Sequence, residues 1–215
     1  MSDELTGRPG PAGPPRVPLL RPDELDADQA RLYAEIAGGP RRSEAAVVPL
    51  TDDDGRLLGP FALMLLAPGT GAAVQALGAA LRFDESLSRR SRELAILTVA
   101  AHRRSEFEWV AHERAALAAG ISGAQLQALL DGGMPAELNG AEEVVVRTVR
   151  HLLVDGGLHD EGFAEAVSAV GTGSLAALVW LVGYYGMLAT ALATFRPPLT
   201  GDGPVSTVVP GQGSG

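Results

Sequence analysis

The chain contains no cysteine. Disulfides, thiolate zinc sites, iron–sulfur clusters and thiol redox chemistry are therefore excluded. It contains no lysine either, because all 17 basic residues are arginine. That removes an internal Schiff base to pyridoxal phosphate and a P-loop lysine. Basic residues are outnumbered by 26 Asp and Glu, and the formal net charge is -9. A chain this acidic has no general attraction to phosphate backbones, so nucleic acid is not an expected partner. The N-terminus lacks a basic region followed by an apolar core, and the expected location is cytoplasmic. No run shows sustained alternation with β-branched enrichment, which leaves no signal for a sheet.

What is present is 215 residues, 46% hydrophobic and 20% charged, enough for one domain with a sizeable core. Residues 1–16 and 197–215 are rich in Pro and Gly and read as tails around an all-α domain at 17–196. About eight helices are expected, at roughly 23–37, 70–82, 86–104, 105–120, 122–130, 140–155, 160–170 and 173–195, with a short apolar piece at 60–68 set off by Pro68. In the first, Leu25, Leu32, Tyr33 and Ile36 form the apolar stripe; in the third, Leu94, Leu97, Thr98 and Ala101 do. The 38–59 connection is long enough to act as a lid. Its Asp52-Asp53-Asp54-Gly55 run lacks the rest of a calcium loop and reads as a solvated turn.

The stretch from Gly173 to Phe195 carries no charge and has the length of a membrane span. It also carries Ser174, Tyr184, Tyr185, Thr190 and Thr194, and no basic cluster flanks it. It is expected to be a helix buried on all sides, in the core or at a subunit interface, and no membrane partner is expected.

Chemistry concentrates in the centre. Glu108 and His112 are four apart on one helix and share a face. Glu93 lies on the preceding helix, which a short turn at Arg103–Ser105 folds back as a hairpin. A carboxylate beside an imidazole makes a proton-transfer pair. Plainer roles exist beside this one. Ser105-x-x-Glu108 is a capping box, and Arg89, Arg90 and Arg92 read as a solvated helix start. Trp109 and Trp180 suit packing, and His102, His151 and His159 suit the surface or helix ends. Glu93, Glu108 and His112 offer a single imidazole and lack the i,i+3 Glu/His pair of di-iron bundles, so no metal is expected.

The stretch R-x-x-E-L-A-I-L-x-V-A, then E-F-E-W-V-A-H-E, then A-L-A-A-G-I-S resembles the carboxymuconolactone decarboxylase family, which includes the AhpD alkylhydroperoxidases. The resemblance covers about 60–195 and is strongest over Arg89–Ser122, with an echo in LVWLVGYYGMLAT. It implies an AhpD-like all-α fold assembled as a homo-oligomer, a trimer or hexamer. In the peroxidase branch a glutamate is followed by C-x-x-C and a histidine. Counted from Glu93, those positions hold Ser105, Glu108 and His112, so the thiol pair is absent and peroxide reduction is rejected.

The decarboxylase branch, by resemblance, removes CO2 from 4-carboxymuconolactone without metal or organic cofactor. On that reading the expected function is a cofactor-independent lyase acting on a small organic acid or lactone. His112 is the proton donor or shuttle, and Glu93 or Glu108 orients it. Arg89 or Arg92 holds the substrate carboxylate or the developing oxyanion. Ser105 stands at a substrate-facing position, Trp109 forms an apolar wall, and Tyr184 or Tyr185 reaches in from the last helix. The same groups would serve an isomerase, dehydratase or hydrolase, and a non-catalytic ligand-binding scaffold remains open at this point.

Overall fold

The helical periodicities appear as nine helices among residues 14–39 and 49–198, which are the residues described by this computed structural model. They are α1 (Ala27–Gly38), α2 (Pro60–Met64), α3 (Pro68–Phe83), α4 (Arg89–Arg103), α5 (Glu106–Ala118), α6 (Gly123–Leu130), α7 (Gly140–Val154), α8 (Asp160–Val170) and α9 (Thr172–Phe195). Among the described residues no strand forms beyond an isolated bridge between Thr51 and Leu57. Most of the two terminal tails (1–13 and 199–215) and part of the expected lid (40–48) lie outside the described residues.

Helix starts follow side-chain caps more closely than hydrophobic spacing. The helix expected from residue 23 begins at Ala27, because Asp26 accepts hydrogen bonds from the backbone N–H groups of Asp28 and Gln29. Pro22–Glu24 forms a separate 3-10 turn, which leaves Leu25 outside the helix. Pro68 occupies the first turn of α3, where its missing N–H removes no helical bond. Ser122 with Gln125 and Asn139 with Glu142 form capping boxes on α6 and α7. The box expected at Ser105 does not form, because the Ser105 side chain makes no capping bond.

Helix α4 is the axis of the molecule. The sequence suggested a single apolar stripe, but every residue from Glu93 to Ala100 is buried. Leu94, Leu97 and Ala100 pack with Trp109, Ala116, Ile121 and Leu126 of the α5–α6 side. Ala95, Ile96 and Val99 pack into the larger core with Leu178, Leu181 and Leu188 of α9. A helix covered on two opposite faces is hydrophobic all round, and one-stripe reasoning undercounts its burial.

The arginines at the start of α4 are not simply solvated. Arg90 donates through Nε to Glu142 Oε1 at 2.8 Å, through a terminal nitrogen to Gln125 Oε1 at 3.1 Å, and to the Gly120 carbonyl. It thereby ties α4 to α6 and α7. Arg92 donates to the backbone carbonyls of Arg82, Asp84 and Leu87, closing the α3–α4 connection. Arg89 remains exposed.

Helix α9 spans 24 residues and is long and apolar enough to cross a membrane, yet 56% of its most apolar window is buried in the bundle. Burial is one-sided within a single chain. Leu175, Leu178, Leu181 and Leu188 face inward, whereas Val179, Trp180 and Met187 are exposed, Trp180 by 65%. Within the chain, the expected burial in the core or at a subunit interface is met on the inner face alone, and Trp180 packs in no core of this chain.

The acidic run forms a turn held by its own neighbour. Asp52 accepts from the backbone N–H groups of Asp54 and Arg56 and from Arg56 Nε at 2.7 Å. Burial raises the Asp52 pKa, but these bonds and the Arg56 charge outweigh it, and the net value lies below the usual range. This turn delivers the chain to Gly59, whose φ of 57° lies in the left-handed region. A Cβ on Gly59 would sit 2.3 Å from the Phe107 ring of α5. Gly59→Ala thus combines backbone strain with overpacking, and urea unfolding should show it destabilised by about 2 kcal/mol. Unchanged stability would mean that Phe107 and the turn are not packed as described.

Candidate active site

The turn at Arg104 and Ser105 sets the α4–α5 hairpin. Arg104 adopts the left-handed conformation at φ 52°, and the Ser105 N–H bonds back to the Ala100 carbonyl at 2.9 Å. The returning helix lays His112 against Glu93. His112 Nδ1 and Glu93 Oε2 are 2.9 Å apart, with side chains only 12% and 9% exposed. A carboxylate accepts hydrogen bonds and does not donate them, so Nδ1 is the donor in this contact and Nε2 is left on the Glu108 side. Glu108, one turn before His112, places Oε2 3.8 Å from Nε2. That gap exceeds a hydrogen bond and suits an intervening atom. The Tyr185 ring stands edge-on to the imidazole with centroids 5.2 Å apart, and Tyr184 stands edge-on to Tyr185 at 5.3 Å.

These groups line a cavity of about 620 Å³ enclosed by α2, α3, α4, α5 and α9. Phe61, Ile96, Leu181 and Leu188 supply apolar wall, while Arg82, Arg89, Arg92 and Arg114 bring four guanidinium groups to it. A second groove of about 580 Å³ beside α9 contains Arg103 as its one charged side chain and no acid–base pair, so it offers no proton chemistry. No cluster of three or more His, Cys, Asp or Glu arranged to hold a metal ion occurs among the described residues.

The expected site residues divide clearly. Glu93, Glu108, His112, Arg89, Arg92, Tyr184 and Tyr185 converge on the cavity. Ser105 and Trp109 do not. Trp109 is 5% exposed and sits in the core shared by α4, α5 and α6. Ser105 Oγ and Trp109 Nε1 are both buried and find no hydrogen-bond partner among the described residues. The reason is helical phase. One stripe of α5 carries residues 108, 112 and 115 toward the cavity, and a step of about 100° turns 109 and 116 toward α4 and α6. The same phase reveals a residue that sequence reasoning missed. Phe107, Ala111, Arg114 and Ala118 form the adjacent stripe, and all four line the cavity. Phe61 and Arg82 had no such signal, because tertiary packing alone brings α2 and the end of α3 to this wall.

Residues 68–150 match the model of the Carboxymuconolactone decarboxylase family. That stretch is similar to the family. The match encloses Glu93, Glu108, His112 and all four cavity arginines and stops short of Tyr184 and Tyr185. Among solved structures, an alkylhydroperoxidase AhpD core, an uncharacterized peroxidase-related protein from Ralstonia eutropha JMP134, superposes with a TM-score of 0.65. The superposition covers 87% of this chain and 94% of that one at 15% identity, which establishes the AhpD-like helical fold. No curated protein matches the sequence. The AhpD-like fold therefore stands without thiols, and disulfide-based peroxide reduction is closed to this chain.

The tautomer is directly testable. Nitrogen NMR of the neutral His112 ring should show Nδ1 protonated and Nε2 bare, and Glu93→Ala should abolish that preference. The opposite tautomer in the wild type would break the assignment of the donor proton to Nδ1.

Proposed function

We propose that this protein is a cofactor-independent carbon–carbon lyase of the carboxymuconolactone decarboxylase type, acting on a small carboxylated or lactone-bearing compound. The observation that carries the reading is the Glu93–His112 pair at 2.9 Å, nearly buried and opening into a cavity of small-molecule size.

The chemistry follows from the groups present. The bond between the reacting carbon and its carboxylate breaks, and CO2 leaves. The electron pair flows into a conjugated carbonyl or lactone of the substrate, giving an enolate. Arginine at the cavity wall stabilises the enolate oxygen. In the proton-delivering state His112 carries protons on both ring nitrogens, with Nδ1–H held by Glu93. Nε2–H passes to carbon, which leaves the neutral Nδ1–H form that Glu93 favours. Glu108, close to Nε2, relays the replacement proton from solvent.

The test is turnover of 4-carboxymuconolactone by wild type and His112→Ala. Wild type should release CO2, and the variant should be slower by about 10²- to 10⁴-fold, the usual worth of a general acid. No turnover by wild type would sink the decarboxylase assignment.

We also propose that the protein self-associates through the outer face of α9. Val179, Trp180 and Met187 are exposed there, and no charge occurs from Gly173 to Phe195. In a chain of net charge -9, two copies repel over most of their surfaces but not over this one. Light scattering should show an oligomer that Trp180→Glu converts to monomer. A monomeric wild type would overturn the interface.

A further inference from the structure

We propose that Arg114 and Arg89 form an anion anchor at the cavity mouth, and that it holds an acidic group which the substrate keeps through the reaction. This deepens the lyase reading and rests on it for the reacting end, while the anchor itself stands on the geometry alone.

The argument begins with the hairpin. The 2.9 Å contact fixes Glu93 and His112 at one level of the antiparallel pair α4 and α5. Arg89 lies four residues before Glu93, and Arg114 lies two residues after His112. Because the helices run in opposite directions, both steps lead the same way along the hairpin. At 1.5 Å per residue they amount to roughly 6 and 3 Å. They also lead outward, since Glu93 is buried whereas Arg89 and Arg114 are exposed, and all line one cavity.

The second step is what the other arginines do. Arg90 is committed to Glu142 and Gln125, and Arg92 to three backbone carbonyls. Neither Arg89 nor Arg114 has an ion-pair or hydrogen-bond partner among the described residues. Two uncommitted guanidinium groups at one mouth, on a protein of net charge -9, oppose the overall field and mark a place for a carboxylate.

The third step decides which carboxylate. A carboxylate that departs as neutral CO2 loses its charge in the transition state. Arginine bound to it would favour the ground state over the transition state and slow the reaction. A retained anion keeps its charge throughout, so the anchor lowers KM without opposing kcat. A guanidinium several ångströms outward from His112 fits the retained group.

Equilibrium binding of adipate, its monomethyl ester and its dimethyl ester, followed by NMR titration at millimolar concentration, tests the anchor. Adipate and the monoester should bind to wild type and equally to His112→Ala, and the diester should not. Arg114→Gln and Arg89→Gln should each weaken adipate by about 10- to 100-fold, as expected for a lost charge-assisted bond. Arg103→Gln, at the opposite end of the hairpin, should leave binding unchanged. With a turned-over substrate, Arg114→Gln should raise KM and leave kcat nearly constant. The proposal is overturned if neither acid binds, if the diester binds as well as adipate, or if the two substitutions have no effect. If anion binding behaves as expected but 4-carboxymuconolactone is not turned over, the anchor stands and the decarboxylase reading alone falls.

Discussion

A carboxylate on a fully covered helix is expensive unless something answers its charge, and Glu93 is answered by His112. That one hydrogen bond sets much else. Together with the turn at Arg104 and Ser105, it holds the level at which α5 returns along α4. It selects the Nδ1–H tautomer and turns Nε2 toward Glu108. It also aligns the arginines that follow at the hairpin's open end. The apolar clusters on both sides of α4 supply the stability, but neither of them specifies this register alone.

The arginines show how one residue type, used in place of lysine throughout, is divided by location. Arg90 and Arg92 sit where carbonyls and a carboxylate lie within reach, and their planar forks hold several acceptors at once. They are structural ties between helices. Arg89 lies one residue before Arg90 and three before Arg92 in the sequence, yet its direction from the helix carries it to the cavity and solvent. Charge-run reasoning treats the three alike, whereas the 100° step turns Arg90 away from the cavity, and Arg89 and Arg92, which share a face, differ because only Arg92 reaches the backbone carbonyls of the α3–α4 connection.

This shows what the sequence makes legible. The helical class, the α4–α5 hairpin and the Glu93–His112 pairing follow from period, punctuation and spacing, all of which are local. Ser105 and Trp109 were misplaced because proximity along the chain was read as proximity in the site, although phase on α5 was available to correct it. The same phase would have revealed Arg114. Phe61, Arg82 and the enclosure of the cavity by α9 depend on contacts between distant elements, for which a single sequence carries no local signal. The two-sided burial of α4 was hidden for a related reason, since a helix covered by different partners on opposite faces shows no polar stripe.

The two positions that resemblance equates with the thiol pair are not equivalent in this chain. Residue 105 lies at the hairpin turn, with its hydroxyl buried away from the cavity. Residue 108 opens on the cavity beside Nε2 of His112. Loss of the thiols therefore does not leave a damaged redox site with two inert substitutes. It leaves one packing position and one acid placed where it can exchange a proton with Nε2. A carboxylate there can carry protons but no redox equivalents, so on the lyase reading proposed above the hairpin geometry that would position a disulfide serves acid–base chemistry instead. The imidazole, hydrogen-bonded to Glu93 through one nitrogen and 3.8 Å from Glu108 at the other, is the part of the scaffold that this reading shares with the peroxidase pattern.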